Sequence, residues 1–125
     1  MTKYAIPTDG TRGWDEIVCS HFGRSAYYAI WDDETNELEF IANESEHFGG
    51  RGMPAEFLAD KCNCIICSGI GSRAIALCNQ LGLSVYVGAN GTIRETIEAF
   101  KAGRLTLATE ADGCGGSQGK YRRYN

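Results

Sequence analysis

Cys64-Ile65-Ile66-Cys67-Ser68-Gly69-Ile70-Gly71-Ser72-Arg73-Ala74 is the stretch whose reading decides the fold. Cys64 to Cys67 is a short, wholly apolar run, as expected of a parallel strand buried on both faces. Ser68 to Gly71 is a tight turn. Ala74, Leu77, Cys78 and Leu81 then recur at helical spacing, and Gly82 stops that helix. The same rhythm follows at once. Leu83 to Val87 is a second apolar strand and Gly88 to Gly91 a second turn. Thr92 with Glu95 forms a capping box for a helix with Ile93, Ile97 and Phe100 on its apolar stripe, ended by Gly103.

Upstream of this pair of strand–helix units, Pro54 suits the first turn of a helix with Phe57 and Leu58 on its apolar side. Ala26 to Trp31 and Leu38 to Ile41 are strands joined by the turn Asp32 to Asn36, a hairpin. Tyr4 to Ile6 is a first strand that Pro7 ends. The order β-β-β-α-β-α-β-α predicts an α/β fold: one domain over residues 1–108, with a mixed five-stranded sheet flanked by three helices. That layout resembles ribonuclease-H-like domains. Residues 10–22 and 44–52 read as mobile loops, and 109–125 as a flexible Gly-rich tail.

Composition narrows the function classes. A chain of 125 residues suits one domain. With 43% hydrophobic and 22% charged residues it has the makings of a globular core. A net charge of −4 argues against a nucleic-acid binder that relies on bulk positive charge. No apolar run approaches a membrane span, and the N-terminus lacks the h-region of a signal peptide, so a cytoplasmic protein without membrane association is expected. In a reducing compartment the six cysteines are metal ligands or buried thiols rather than disulfides. Cys62-Asn63-Cys64-Ile65-Ile66-Cys67 has the look of a cluster motif. However, Cys64 and Cys67 would stand ~10 Å apart on opposite faces of one strand, a poor ligand set. Cys64 and Cys78 are expected to be buried and unbridged.

Ligands of open α/β sheets collect at the carboxyl ends of parallel strands. That rim gathers Cys19, His21, Arg24, His47, Arg51, Cys67 and the turns at Gly69 and Gly88. His21 and His47, the only histidines, are either solvated loop residues or metal ligands, and Cys19 and Cys67 could join them. Arg24, Arg51, Ser68, Gly69, Gly71 and Ser72 could neutralise and hydrogen-bond an anion. Gly69 to Ala74 matches G-x-G-x-x-A, the dinucleotide fingerprint. The acid that would hold a ribose is missing, because Gly88-Ala89-Asn90 stands in its place. Glycines serving only the turn are the other reading. Asp9 follows the first strand, but no second acid follows Cys67, so a two-metal nuclease site is not assembled. No C-x-x-C pair opens a helix, which leaves a thiol redox enzyme unsupported.

Ser20-His21-Phe22-Gly23-Arg24, the aromatic strand after it, Cys67 to Ala74, and Val87 to Ile93 together resemble the nitrogenase iron–molybdenum cofactor biosynthesis family of NifX/NifB C-terminal type, over about Lys3 to Leu105. The resemblance implies a ribonuclease-H-like fold and a non-catalytic carrier of a metal–sulfur cluster, iron–sulfur or molybdenum-containing. It implies cluster donor and acceptor proteins as partners, and a monomer is favoured. One member of this type holds a molybdenum–copper sulfide cluster without covalent ligands. Cys62 and Cys64 depart from the usual pattern, where Gly and Asp are commoner. A small-anion or nucleotide-sensing module without metal is the alternative.

Overall fold

The computed structural model describes residues 2–45 and 53–108, together with the backbone of Arg122–Arg123. Strands β1 (Lys3–Thr8), β2 (Tyr27–Asp32) and β3 (Leu38–Ala42) precede helix α1 (Pro54–Leu58). Then come β4 (Cys64–Cys67), α2 (Ser72–Gln80), β5 (Ser84–Val87), α3 (Ile93–Lys101), β6 (Thr106–Leu107) and β7 (Arg122–Arg123). One sheet joins them in the order β3-β2-β1-β4-β5-β6-β7. β1 runs parallel to β4 and β4 to β5, while the β1–β2, β2–β3, β5–β6 and β6–β7 pairs are antiparallel.

The sheet is therefore larger than the five strands expected. β6 and β7 extend it past β5, and strands of two residues carry no periodicity by which a sequence could announce them. β7 falls in the segment expected to be a tail, of which nothing else is described. Pro7 does not end β1 but lies inside it, opposite Tyr28. The β1–β4 ladder stops at Ala5, so Pro7 stands beside a gap where a missing N–H costs least.

Alternation along the strands divides the core into two layers. Ala5, Tyr28, Ile30, Ile65 and Cys67 point to the face covered by α1 and α2, where they meet Leu58, Ile75 and Cys78. Tyr4, Ile6, Ala29, Trp31 and Ile66 point to the face covered by α3, where they meet Ile93, Ile97 and Phe100. On that second face the Phe100 ring lies 4.9 Å from Tyr4 and 5.0 Å from Tyr86, edge-on to both.

The helix ends follow the sequence closely. Thr92 Oγ1 accepts from Glu95 N at 3.1 Å and Glu95 Oε1 accepts from Thr92 N at 2.9 Å, the expected capping box. Beyond α2, Leu83 N donates to Cys78 O and Gly82 N to Asn79 O, with Gly82 at φ +82°. Arg104 and Gly103 repeat the pattern after α3, so both helices close in Schellman motifs. The α2 stripe is shifted from its expected place. Ile75 and Cys78 are its buried residues, while Leu81 sits past the last turn at 38% exposure.

Residues 10–22 were expected to be a mobile loop and are instead pinned. Thr8 bridges Val18, Ile17 bridges Thr92, and Cys19 N donates to Pro7 O at 2.8 Å. The buried Glu16 carboxylate holds the bend together. It accepts from Arg12 N at 3.0 Å, from Arg12 Nε at 3.1 Å and from Ile17 N at 3.0 Å. Gly10 packs against it so closely that a Cβ there would lie 2.5 Å from Glu16 Oε1. Among the described residues, no helix is long and apolar enough to cross a membrane.

Candidate functional site

At the carboxyl end of β4, on the α1/α2 face, lies an open cleft of about 1010 Å³. One lip is the segment 20–24, the other is the turn Gly69–Gly71 with the first turns of α2, and Met53 to Ala55 of the α1 start close the side. The topology explains the position. Leaving β4, the chain must turn over the sheet edge to begin α2, and the segment entering β2 from the same edge faces that turn.

The 20–24 lip is held by groups from three strand ends. Tyr28 Oη, buried in β2, donates to Phe22 O at 2.7 Å. Burial pushes the Tyr28 phenol far above its ordinary pKa, so it remains a donor at any physiological pH. Asn43 Nδ2, just past β3, donates to Ser25 O at 2.8 Å and Gly23 O at 3.3 Å. Asp9 Oδ1, just past β1, accepts from Ala26 N at 3.2 Å. Phe22 is buried beneath this lip, leaving His21 and Arg24 exposed on either side of it.

The opposite lip is stitched to its neighbour. Ser68 Oγ donates to Ala89 O at 2.7 Å, Ala89 N to Cys67 O at 3.1 Å and Gly88 N to Ser68 O at 3.2 Å. α2 then starts at Gly71, which supplies no side-chain cap, and no acid stands in its first turn. The positive end of the helix dipole is left without a carboxylate from its own helix. Arg73 extends from this turn into the cleft lining.

His21, Arg24, Gly69 and Gly71, four of the residues expected at the rim, line this cleft together. Cys67 is fully buried in the α1/α2-side core below it, and Cys78 with it. The Ser68 hydroxyl is committed to Ala89 O, and Ser72 is exposed on α2 outside the lining. Cys19 is half-buried behind the lip, with His21 N donating to its sulfur at 3.5 Å. Burial, with Asp9 nearby, raises the Cys19 thiol above its ordinary pKa. His47, Arg51 and Cys114 lie outside the described residues. Among the described residues no three His, Cys, Asp or Glu side chains converge as a metal site would require.

The C-x-C-x-x-C run divides as strand alternation demands, with Cys67 on the α1/α2 face and Cys64 on the α3 face. Cys64 is half-buried rather than fully buried, and the described cysteines are all free thiols. Burial pushes Cys62 up to about 12 and Cys64 and Cys78 up to about 11, so all three stay protonated.

Arg73 and Met53 are cleft residues that the sequence reading did not assign to the site. Arg73 had a signal. With Ala76, Leu77 and Gln80 it forms a stripe at spacings of three, four and seven on α2, visible once the helix is asked for two working faces. Among the cleft-lining residues described there is no Asp or Glu, in a chain of net charge −4. Neither Arg24 nor Arg73 pairs with a carboxylate among the described residues.

Residues 2–103 match the family described as dinitrogenase iron–molybdenum cofactor. The chain is 32% identical over 112 residues to the uncharacterised protein MJ0580 of Methanocaldococcus jannaschii, covering 84% of this chain and 90% of that one. A solved structure from Thermotoga, described as a candidate NifB protein of the DUF35 family, is 31% identical. It covers 84% of this chain and 91% of its own, with a TM-score of 0.69. The apo orange protein of Desulfovibrio gigas shares the fold at a TM-score of 0.76 and 24% identity, covering 86% of this chain and 93% of that one.

Proposed function

Because the chain belongs to the dinitrogenase iron–molybdenum cofactor family, we propose that it is a non-catalytic carrier of an anionic metal–sulfur cluster, iron–sulfur or molybdenum-containing, received from a donor protein and passed to an acceptor. The observation that carries this reading is the cleft whose described lining holds Arg24, Arg73, His21, Gly69 and Gly71 and no Asp or Glu. Arginine forks and helix-end amides suit the sulfides of an anionic cluster. His21 offers one nitrogen ligand at the mouth. Cys19 is a ligand only at the cost of a proton, since its thiol is held protonated. Few covalent ligands and a wide mouth fit a cargo that must leave again. The ribonuclease-H-like assignment belongs to the same proposal. The central order β3-β2-β1-β4-β5, with β2 antiparallel to its neighbours, supports it. A monomer working in the cytoplasm without nucleic acid is part of the same proposal.

Anaerobic loading with tetrathiomolybdate, or with ferrous iron and sulfide, followed by gel filtration and metal counting, tests the reading. His21→Ala and Arg24→Ala should lose most of the retained metal. Cys64→Ala should keep it and lose about 1 to 2 kcal/mol of stability, as is usual for trimming a partly buried side chain. Metal lost from Cys64→Ala but kept by a folded His21→Ala would move the site to the other face of the sheet.

A further inference from the structure

The same cleft has more room, and more apolar wall, than a compact inorganic anion uses. Its volume of about 1010 Å³ is that of a site for a drug-sized organic ligand. Its apolar lining includes Phe22, Met53, Ala55, Ile70, Ala74 and Leu77. Met53 is 44% exposed, one of three large hydrophobic side chains among the described residues that stand out in this way. A thioether at the mouth of an apolar groove adapts to varied shapes. Arg24 and Arg73 are the charged residues of the lining. The cleft thus combines two cationic groups with an apolar lining, and has no carboxylate among its described lining residues.

We propose that this cleft binds an amphipathic organic anion, with the anionic head between Arg24 and Arg73 and the apolar body along Met53, Ala74 and Leu77. The inference rests on the reading of the cleft as an anion site, and adds to it a ligand class recognised by its hydrocarbon as well as its charge. An anion alone would leave the apolar wall wet. A neutral apolar ligand would leave both arginines without a counter-charge. A ligand with both features satisfies the arginines and the apolar lining together, and each added methylene buried there strengthens binding.

Octanoate and acetate are the probes, titrated into the full chain and followed by amide chemical shifts. Octanoate should bind at least tenfold tighter than acetate, with the shifts centred on Gly69, Gly71 and Ala74. Arg73→Gln should weaken both acids. Met53→Ser, at an exposed position where folding is not at risk, should cut the octanoate-to-acetate ratio at least threefold. Equal affinity for the two acids would overturn the proposal, as would shifts centred elsewhere or indifference to Arg73→Gln. Tetrathiomolybdate loading is measured in parallel. Loading without octanoate binding sinks this inference and leaves the carrier reading standing, whereas octanoate binding without loading sinks the carrier reading alone.

Discussion

Gly71 separates a folding role from a binding role. Its φ of −69° and ψ of 154° are open to any residue, and a Cβ placed on it would meet no atom within 4 Å. Nothing within the described protein therefore demands glycine there, yet the residue lines the cleft. Gly71→Ala should lower the unfolding free energy from urea melts by no more than about 1 kcal/mol, the preference for Gly over Ala at a helix N-cap. The same variant should retain severalfold less tetrathiomolybdate, because the methyl group occupies the space a ligand would approach. Unchanged retention would place the cargo away from this turn. Gly91 is the contrasting case. It sits at φ +82° against the Glu95 carboxylate, so it is required by the backbone turn whatever the cleft does.

At the scale of elements, the bend at residues 10–18 acts as a fixed strap between β1 and α3. Glu16 O accepts from Ile93 N at 2.9 Å and Val18 N donates to Gly91 O at 2.9 Å, so the strap and the start of α3 share hydrogen bonds. The Arg12 side chain, hydrogen-bonded to the Glu16 carboxylate, holds it below its ordinary pKa of 4.5, against the opposing effect of burial. A carboxylate with a depressed folded pKa contributes stability that is fully present above its unfolded pKa and is lost as pH falls through the folded one. Glu16→Gln should therefore cost about 1 to 2 kcal/mol at pH 7, from charge-assisted bonds partly screened at the exposed Arg12. The gap between variant and wild type should narrow below pH 4.5. Urea unfolding at pH 7 and pH 3.5 measures both numbers, and a gap of equal size at the two pH values would remove the carboxylate from this role.

At the scale of the whole molecule, the core grades the reach of the described thiols. Cys67 and Cys78 have no exposed surface and Cys62 is 8% exposed, while Cys19 behind the cleft lip is half-buried. Alkylation therefore requires opening of the α1/α2-side core for the first three and only local motion for Cys19. With iodoacetamide at pH 8 and mass-spectrometric mapping, Cys19 should label well before Cys62, Cys67 and Cys78. Those three should label at a rate that rises with urea. Fast labelling of Cys78 in native protein would show that the core has been misassigned.

The run from Cys64 to Ala74 was legible because its cues are local: an apolar strand, a glycine turn and a helical period need no partner to be recognised. The capping box at Thr92, the helix stops at Gly82 and Gly103, and the hairpin were legible for the same reason. So was the grouping of four of the ten candidate site residues, because the carboxyl edge of a parallel pair follows from the order of elements, and His21, Arg24, Gly69 and Gly71 do share one cleft there. Three things needed the tertiary structure. Which face of β4 carries Cys67 depends on which helix covers it, and that face proved to be the closed core below the cleft. The strap at 10–18 looks loose in sequence because its order comes from one buried carboxylate and from contacts with α3, some eighty residues away. β6 and β7 are too short to show a period and exist only because the edge of β5 was open to pair with. Local propensity is written in neighbouring residues. Facing, pairing at an edge and the burial of a charge are decided by what the rest of the chain brings alongside.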